Sequence, residues 1–468
     1  MMKVYLGSLI LFFLSFLNTF SQRQAFNIFW YYNGITFQNF CNQELNFVKI
    51  NLPKYNLQFD TTVFLGNDTI KYNLLFIKLL ENYSTISDVY GKFLFHTDGL
   101  RVYNQKFEVM DNGDSLFWLS FKQMSSPLYQ QVTFNVANIY VKPIIVPFPN
   151  NSTMYYLFTT TCTYGNPSIF PPFVSYSIID MKENYGLGKV LEKRKFLSDN
   201  NFFYIDFLPI LHKNGKDVWL LTLDKDGRIH NFLITENGIK SGEIINNYKF
   251  VNFFSTFNRY FWDFWLSSPN GEVVAVRTPH GNEKTFVIFK FDRQNGKIYQ
   301  PVLIAPELLR ANYYQLKIQF SPDSKKIYLA ELSPRKFMDS TFYIVIKQFD
   351  IEKWDSATIN SSMKIVYIDS VIVPIALPEL FFLPGVDGKI YCYLMSDKKG
   401  YPDFLITLEN PNELPTSNQF SVRKNDTLFK DKSAIRDLSL YSWIFHSFLH
   451  RLIDYRKPAC EGGELRFY

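Results

Sequence analysis

The feature that most constrains this chain is a turn-and-strand unit that recurs along it. Ser268-Pro269-Asn270-Gly271 leads into Glu272-Val273-Val274-Ala275-Val276, and Ser321-Pro322-Asp323-Ser324-Lys325 leads into Lys326-Ile327-Tyr328-Leu329-Ala330. Leu383-Pro384-Gly385-Val386-Asp387-Gly388 leads into Lys389-Ile390-Tyr391-Cys392-Tyr393 in the same way. Proline presets φ at the second turn position, and Asn, Asp and Gly tolerate the reversal that follows. In the first two units a second apolar strand ends in Phe-Asp, at Phe291-Asp292 and Phe349-Asp350. Ser268 and Ser321 are 53 residues apart, and Pro322 and Pro384 are 62 apart. Weaker echoes stand upstream at Asp88-Val89-Tyr90-Gly91-Lys92-Phe93 and at Asp224-Lys225-Asp226-Gly227-Arg228-Ile229.

Helical periodicity is scarce, whereas short β-branched and aromatic runs bounded by Gly, Pro, Asn or Asp are everywhere. Examples are Asp217 to Leu223, Phe286 to Phe291 and Phe342 to Lys347. That is an all-β pattern. Four short strands repeating at this period form a β-propeller, in which each sheet hides both faces against its neighbours. The expected organisation is a leader at residues 1–21, a β-propeller of about seven four-stranded blades over 22–450, and a tail at 451–468. Two separate β-sandwiches would need a linker, and no Pro/Gly/Ser-rich stretch divides the chain.

Composition narrows the classes further. With 47% hydrophobic and 20% charged residues, the chain is neither a disordered tail nor a polytopic membrane protein. Its 48 Phe and 30 Tyr read as a bias that strands draw upon, because aromatics suit a half-buried pleated surface. The net charge of +6 is spread without a Lys/Arg block, so nucleic acid is not an expected partner.

Lys3 followed by the apolar run Val4 to Leu17 reads as a secretory signal peptide with cleavage before Gln22. Its core is short for a bilayer span, and later apolar stretches such as Val371 to Leu383 are interrupted, so no transmembrane segment is expected after cleavage. Export permits disulfides, and Cys41, Cys162, Cys392 and Cys460 allow three full pairings. Equally, Cys162 and Cys392 sit in apolar strands where a thiol serves as a small hydrophobe.

Several segments carry a family resemblance. Trp30-Tyr31-Tyr32-Asn33-Gly34-Ile35-Thr36-Phe37 resembles an opening W-Y-F-G-x-x-A-G-L-x-F motif. Ser87 to Gly99 is similar to S-x-S-D-x-x-G-x-L-L-F-Y-T-D-G, continuing through Val102-Tyr103-Asn104 and Val109-Met110-Asp111-Asn112-Gly113. Tyr176 to Met181, Gly186 to Val190 and His212 to Leu220 resemble further motifs of the same family. The family is a secreted WD40-like propeller group of Bacteroidota, found at the front of proteins with PKD and gliding-motility-associated C-terminal domains. Tyr32, Ile35 and Ser324 depart from its pattern. The last residues, Cys460 to Tyr468, stand where longer relatives begin a PKD domain. The resemblance implies an exported scaffold and no active site.

Catalytic signals are weak. There is no G-x-S-x-G, H-E-x-x-H or P-loop. His446 and His450 have i, i+4 spacing but lack a third ligand, so no metal is expected. Asp224-Lys225-Asp226-Gly227 lacks the remaining ligands of a calcium loop. Asp88, Asp98, Asp180, Asp292 and Asp350 fall at strand ends or turns, where Asp bonds its own backbone.

One surface pattern stands out. Asp-Ser/Thr followed by a small or aliphatic residue occurs seven times, against roughly one to two expected from composition. It resembles an O-glycosylation acceptor, making Thr61, Thr69, Ser115, Ser340, Ser356, Ser370 and Thr427 candidates; turn chemistry suits the same residues.

The expectation is therefore an exported, monomeric, non-enzymatic propeller without a cofactor, located in the periplasm or at the cell surface, that binds a protein or glycan. A hydrolase or lyase using acids at the channel mouth, and a structural subunit of an envelope complex, are the alternatives.

Overall fold

The computed structural model describes residues 26–31, 34–39, 44–48, 59–65, 68–74, 77–81, 84–88, 93–97, 99, 101–106, 108–114, 116, 137–163, 173–197, 203–224, 229–245, 265–280, 283–305, 315–335, 341–372, 379–384, 388–395 and 402–425. The leader, the tail, His446, His450, Asp98, Ser115, Ser340 and Thr427 lie outside them.

Five consecutive sheets form the body. Blade I holds β10 (Ala137–Pro147), β11 (Met154–Thr163), β12 (Phe173–Asp180) and β13 (Lys189–Phe196). Blade II holds β14 (Phe203–Leu211), β15 (Val218–Asp224), β16 (Ile229–Thr235) and β17 (Gly238–Ile245). Blade III holds β18 (Trp265–Ser267), β19 (Val273–His280), β20 (Glu283–Asp292) and β21 (Lys297–Leu303). Blade IV holds β22 (Gln315–Phe320), β23 (Lys326–Pro334), β24 (Thr341–Asp350) and β25 (Lys364–Ile372). Blade V holds β26 (Glu379–Pro384), β27 (Ile390–Met395), β28 (Pro402–Leu408) and β29 (Val422–Asn425).

Each blade is an antiparallel meander in chain order. Blade I departs from the four-stranded expectation: β6 (Ile77–Glu81) adds a fifth strand parallel to β10. Upstream lie two three-stranded sheets, β1 (Phe26–Tyr31) to β3 (Glu44–Val48) through β2 (Gly34–Asn39), and β7 (Ser84–Ser87) to β9 (Val102–Asn104) through β8 (Phe93–Thr97). A two-stranded hairpin, β4 (Phe59–Leu65) and β5 (Asp68–Leu74), stands between them in sequence.

Side-chain parity shows why the sheets stack. Along β19, Val274 and Val276 enter a core shared with blade II, while Val273 and Ala275 enter a core shared with blade IV. Along β23, Ile327 and Leu329 face blade III, while Tyr328, Ala330 and Leu332 face blade V. In β11, Tyr155 and Leu157 face the β7–β9 sheet, and Tyr156 and Phe158 face blade II. A period-2 strand with both faces apolar has no solvent side, so it must lie between two neighbours. Each fully buried Val, Ile, Leu or Phe among them contributes about 1.5–3 kcal/mol. The chain is a β-propeller built from seam cores rather than one central core. Cys392 is a buried free thiol in the seam between blades IV and V.

Candidate functional site

In an up-and-down blade, the 1–2 and 3–4 turns fall at one end; the 2–3 loops and the blade-to-blade connections fall at the other. The first end is built by a repeated hydrogen-bond device. Ser268 N donates to Val273 O at 2.8 Å and Gly271 N to Ser268 O at 2.8 Å. Ser321 N donates to Lys326 O at 3.0 Å and Ser324 N to Ser321 O at 2.9 Å. His212 N donates to Asp217 O at 2.8 Å and Gly215 N to His212 O at 3.0 Å. Phe148 to Met154 closes a turn one residue longer in blade I.

The side chains repeat as well. Asn214, Asn270 and Asp323 each accept, through Oδ1, the backbone N–H two residues on. Ser268 Oγ accepts Val273 N and donates to Asn270 Oδ1; Ser321 Oγ accepts Lys326 N and donates to Asp323 Oδ1. In blade II the Ser is replaced by His212, whose Nδ1 accepts Asn214 N at 3.1 Å. Its Nε2 then carries the proton and donates to Gln294 O at 3.1 Å. One upstream echo is therefore corrected. Asp224 to Gly227 joins strands two and three of blade II, whereas the equivalent of the Ser-Pro turns is His212 to Asp217, between strands one and two.

The 3–4 turns place the acids. Asp180, Asp292 and Asp350 each end a third strand and accept the N–H two residues on, at 2.9, 2.8 and 2.9 Å. The Asn295 amide, bonded to Asp292 Oδ2 at 2.7 Å, leads in holding that carboxyl below its ordinary range. These acids serve the turns, as the sequence predicts.

Neighbouring blades clasp through the same turns. Arg293 of blade III donates to Leu211 O and His212 O of blade II. Trp219 Nε1 donates to Arg293 O at 2.8 Å, and Asn231 Nδ2 to Gly296 O at 2.8 Å. At the next seam Ser324 Oγ accepts Asn270 N at 3.0 Å. Tyr328 of blade IV donates to Pro411 O at 2.7 Å, and Gln348 to Glu413 O at 2.8 Å. His96, buried and stacked on Tyr103 at 4.8 Å, has its pKa lowered by burial to about 3 and stays neutral. Among the described residues, no group of three His, Cys, Asp or Glu could hold a metal ion.

Two features stand apart from this end. Glu331 and Lys347 form a buried ion pair at 2.5 Å within blade IV, their side chains 0% and 6% exposed. On the outer strand β25, Ile365, Ile368 and Ile372 are exposed. Of the acceptor candidates, Thr61 and Thr69 lie within β4 and β5. Ser356 opens the helix α1 (Ser356–Ser361), and Ser370 is exposed on β25. Asp355, preceding Ser356, caps that helix through Thr358 N at 2.8 Å; Asp369, preceding Ser370, binds Lys424 at 2.6 Å. Sequence reasoning missed the clasp residues Trp219, Asn231, Tyr328 and Gln348. Nothing local marks them, although a Glu inside the apolar run of β23 was a visible sign of a buried pair.

No family model matches this chain, and no curated protein matches it. Among solved structures, a functionally unknown protein from Desulfotomaculum acetoxidans is 12% identical, with 85% of this chain and 99% of that chain covered at a TM-score of 0.40. A protein from Lactobacillus plantarum is 10% identical, covering 85% and 94% at 0.37. The periplasmic gluconolactonase of Pseudomonas aeruginosa is 9% identical, covering 74% and 83% at 0.34. The propeller architecture stands on the sheet order and the seam cores.

Proposed function

We propose that this chain is an exported, monomeric β-propeller serving as a non-enzymatic binding or surface-scaffold module for a protein or glycan, in the periplasm or at the cell surface. One observation carries the reading. Strands two and three of blades I to IV spend both faces on seam cores, so recognition falls to the ends and outer edges. The turns of one end spend their acids on their own backbone, which favours the opposite end. The basic, apolar first residues support export, and the resemblance to the Bacteroidota family supports a scaffold role.

The test is to immobilise residues 22–468 and probe them with a glycan array and with envelope extract from the native host. Saturable binding to one glycan class or one protein is expected. Turnover of a polysaccharide, or no saturable binding to either probe, overturns the reading. Intact mass of the exported protein tests modification at Thr61, Thr69, Ser115, Ser340, Ser356, Ser370 and Thr427, and an unmodified mass removes that part.

A further inference from the structure

Strands β23 and β24 pose a register problem. Nearly every residue of both is buried, with apolar side chains on the blade III face and on the blade V face. Hydrophobic alternation fixes register only where one face is wet, because a slip of one residue otherwise exchanges one apolar face for another. The aliphatic content of this ladder therefore leaves its alignment weakly specified.

We infer that two buried polar pairs, Glu331–Lys347 and Tyr328–Gln348, act together as a register lock for blade IV. In the native ladder Glu331 lies opposite Val345 and Lys347 opposite Leu329, so the ion pair bridges a diagonal on the blade III face. Tyr328 and Gln348 are directly opposed on the other face, joined at 2.5 Å. A slip of one residue sends Glu331 and Lys347 to opposite faces and strands both charges in apolar surroundings. A slip of two residues in one sense doubles their offset along the strands. In the other sense it sets them face to face but parts Tyr328 from Gln348. No shift of this size preserves both pairs. Gln348 also reaches Glu413 O, and Tyr328 reaches Pro411 O, so correct register is what presents blade IV to blade V. The lock is independent of whatever the propeller binds.

Cross-strand disulfides read the register directly, because opposed strand positions fall within bridging distance and positions on opposite faces do not. In the full chain, Ser333→Cys with Tyr343→Cys reports the native alignment, in which the two residues are opposed. Ser333→Cys with Phe342→Cys, or with Ile344→Cys, reports slips of one residue. Products are assigned by peptide mass to separate them from the native cysteines. With Glu331 and Lys347 intact, only the native cross-link is expected. In a background that removes both pairs, Glu331→Leu/Lys347→Met with Tyr328→Phe/Gln348→Met, the slipped cross-links should rise at least about tenfold. A purely native cross-link in that background overturns the lock. Should that background prevent folding, the reversed pair Glu331→Lys/Lys347→Glu decides: native cross-linking alone supports the lock, and mixed register overturns it.

Discussion

Ser324 and Gly271 occupy the same turn position in adjacent blades, both in left-handed backbone, with φ of 64° and 72°. A Cβ on Gly271 would stand 2.9 Å from Ile210 Cγ2 and 3.3 Å from Arg293 Cδ, within the clasp between blades II and III. Gly271→Ala should therefore cost about 1–3 kcal/mol in urea unfolding, combining strain with overpacking. Ser324 bears the left-handed conformation because its hydroxyl accepts Asn270 N from the neighbouring turn. Ser324→Gly trades one effect for the other. Ser324→Ala keeps the strain and loses the bond, so it should be the less stable of the two by about 1–2 kcal/mol. Equal stabilities of the two variants, neither of which carries the hydroxyl, would mean that the left-handed strain contributes nothing. Among the turn acids, Asp292 ties stability to pH. Asp292 is held below its ordinary value, chiefly by the Asn295 amide. A carboxyl with a lowered folded pKa contributes stability above its unfolded value of about 3.9, and loses it as pH falls through the folded value. Urea midpoints should drop below about pH 4, and less steeply in Asp292→Asn.

At the scale of elements, the helix α1 shows how a short segment secures a seam. Asp355 accepts Thr358 N and the Thr358 hydroxyl, fixing a single turn that inserts Ile359 into the core between blades III and IV. From the same helix Asn360 donates to Leu303 O and accepts Ala305 N. Asp355→Ala should cost about 1 kcal/mol, read from the unfolding midpoint, and Asp355→Asn should recover most of it. The helix was not legible beforehand, because six residues carry no periodicity. The Ser-Pro turns were legible because their chemistry is local: hydroxyl, proline and Asx act within five residues. The equivalent turn at His212 escaped because an imidazole stands where the other turns carry a serine and accepts a different backbone N–H, that of Asn214, while Asp224-Lys225-Asp226-Gly227 imitated the composition at the wrong phase. Strand content was readable from β-branched and aromatic runs, and the repeat from its spacing. The clasp was not, since Trp219 and Arg293 meet only after two blades have formed. The candidate acceptor sites were legible only as triplets; the structure adds that Asp355 and Asp369 already have structural partners.

For the whole molecule, the decisive question is whether the seams open singly or together. Each core joins one blade to the next, and each clasp reaches only the adjacent turns, the arrangement in which stability is a sum of nearest-neighbour contributions. Cys392 reports on one seam. It is buried between blades IV and V, and burial raises its thiol pKa, so labelling requires that seam to open. Tyr328→Phe removes the hydroxyl that holds Pro411 O across this seam. A loss of about 1.4 kcal/mol there should speed maleimide labelling of Cys392 roughly tenfold. Trp219→Phe removes the indole that holds Arg293 O at the seam between blades II and III, two blades away. With independent seams it should leave the Cys392 rate unchanged while lowering global stability. Peptide mapping separates this thiol from Cys41, Cys162 and Cys460. Equal acceleration by both substitutions would show instead that the ring opens as one cooperative unit. For the binding role proposed above, the same comparison matters: a propeller whose seams yield singly can adjust one pair of blades while the others keep their places.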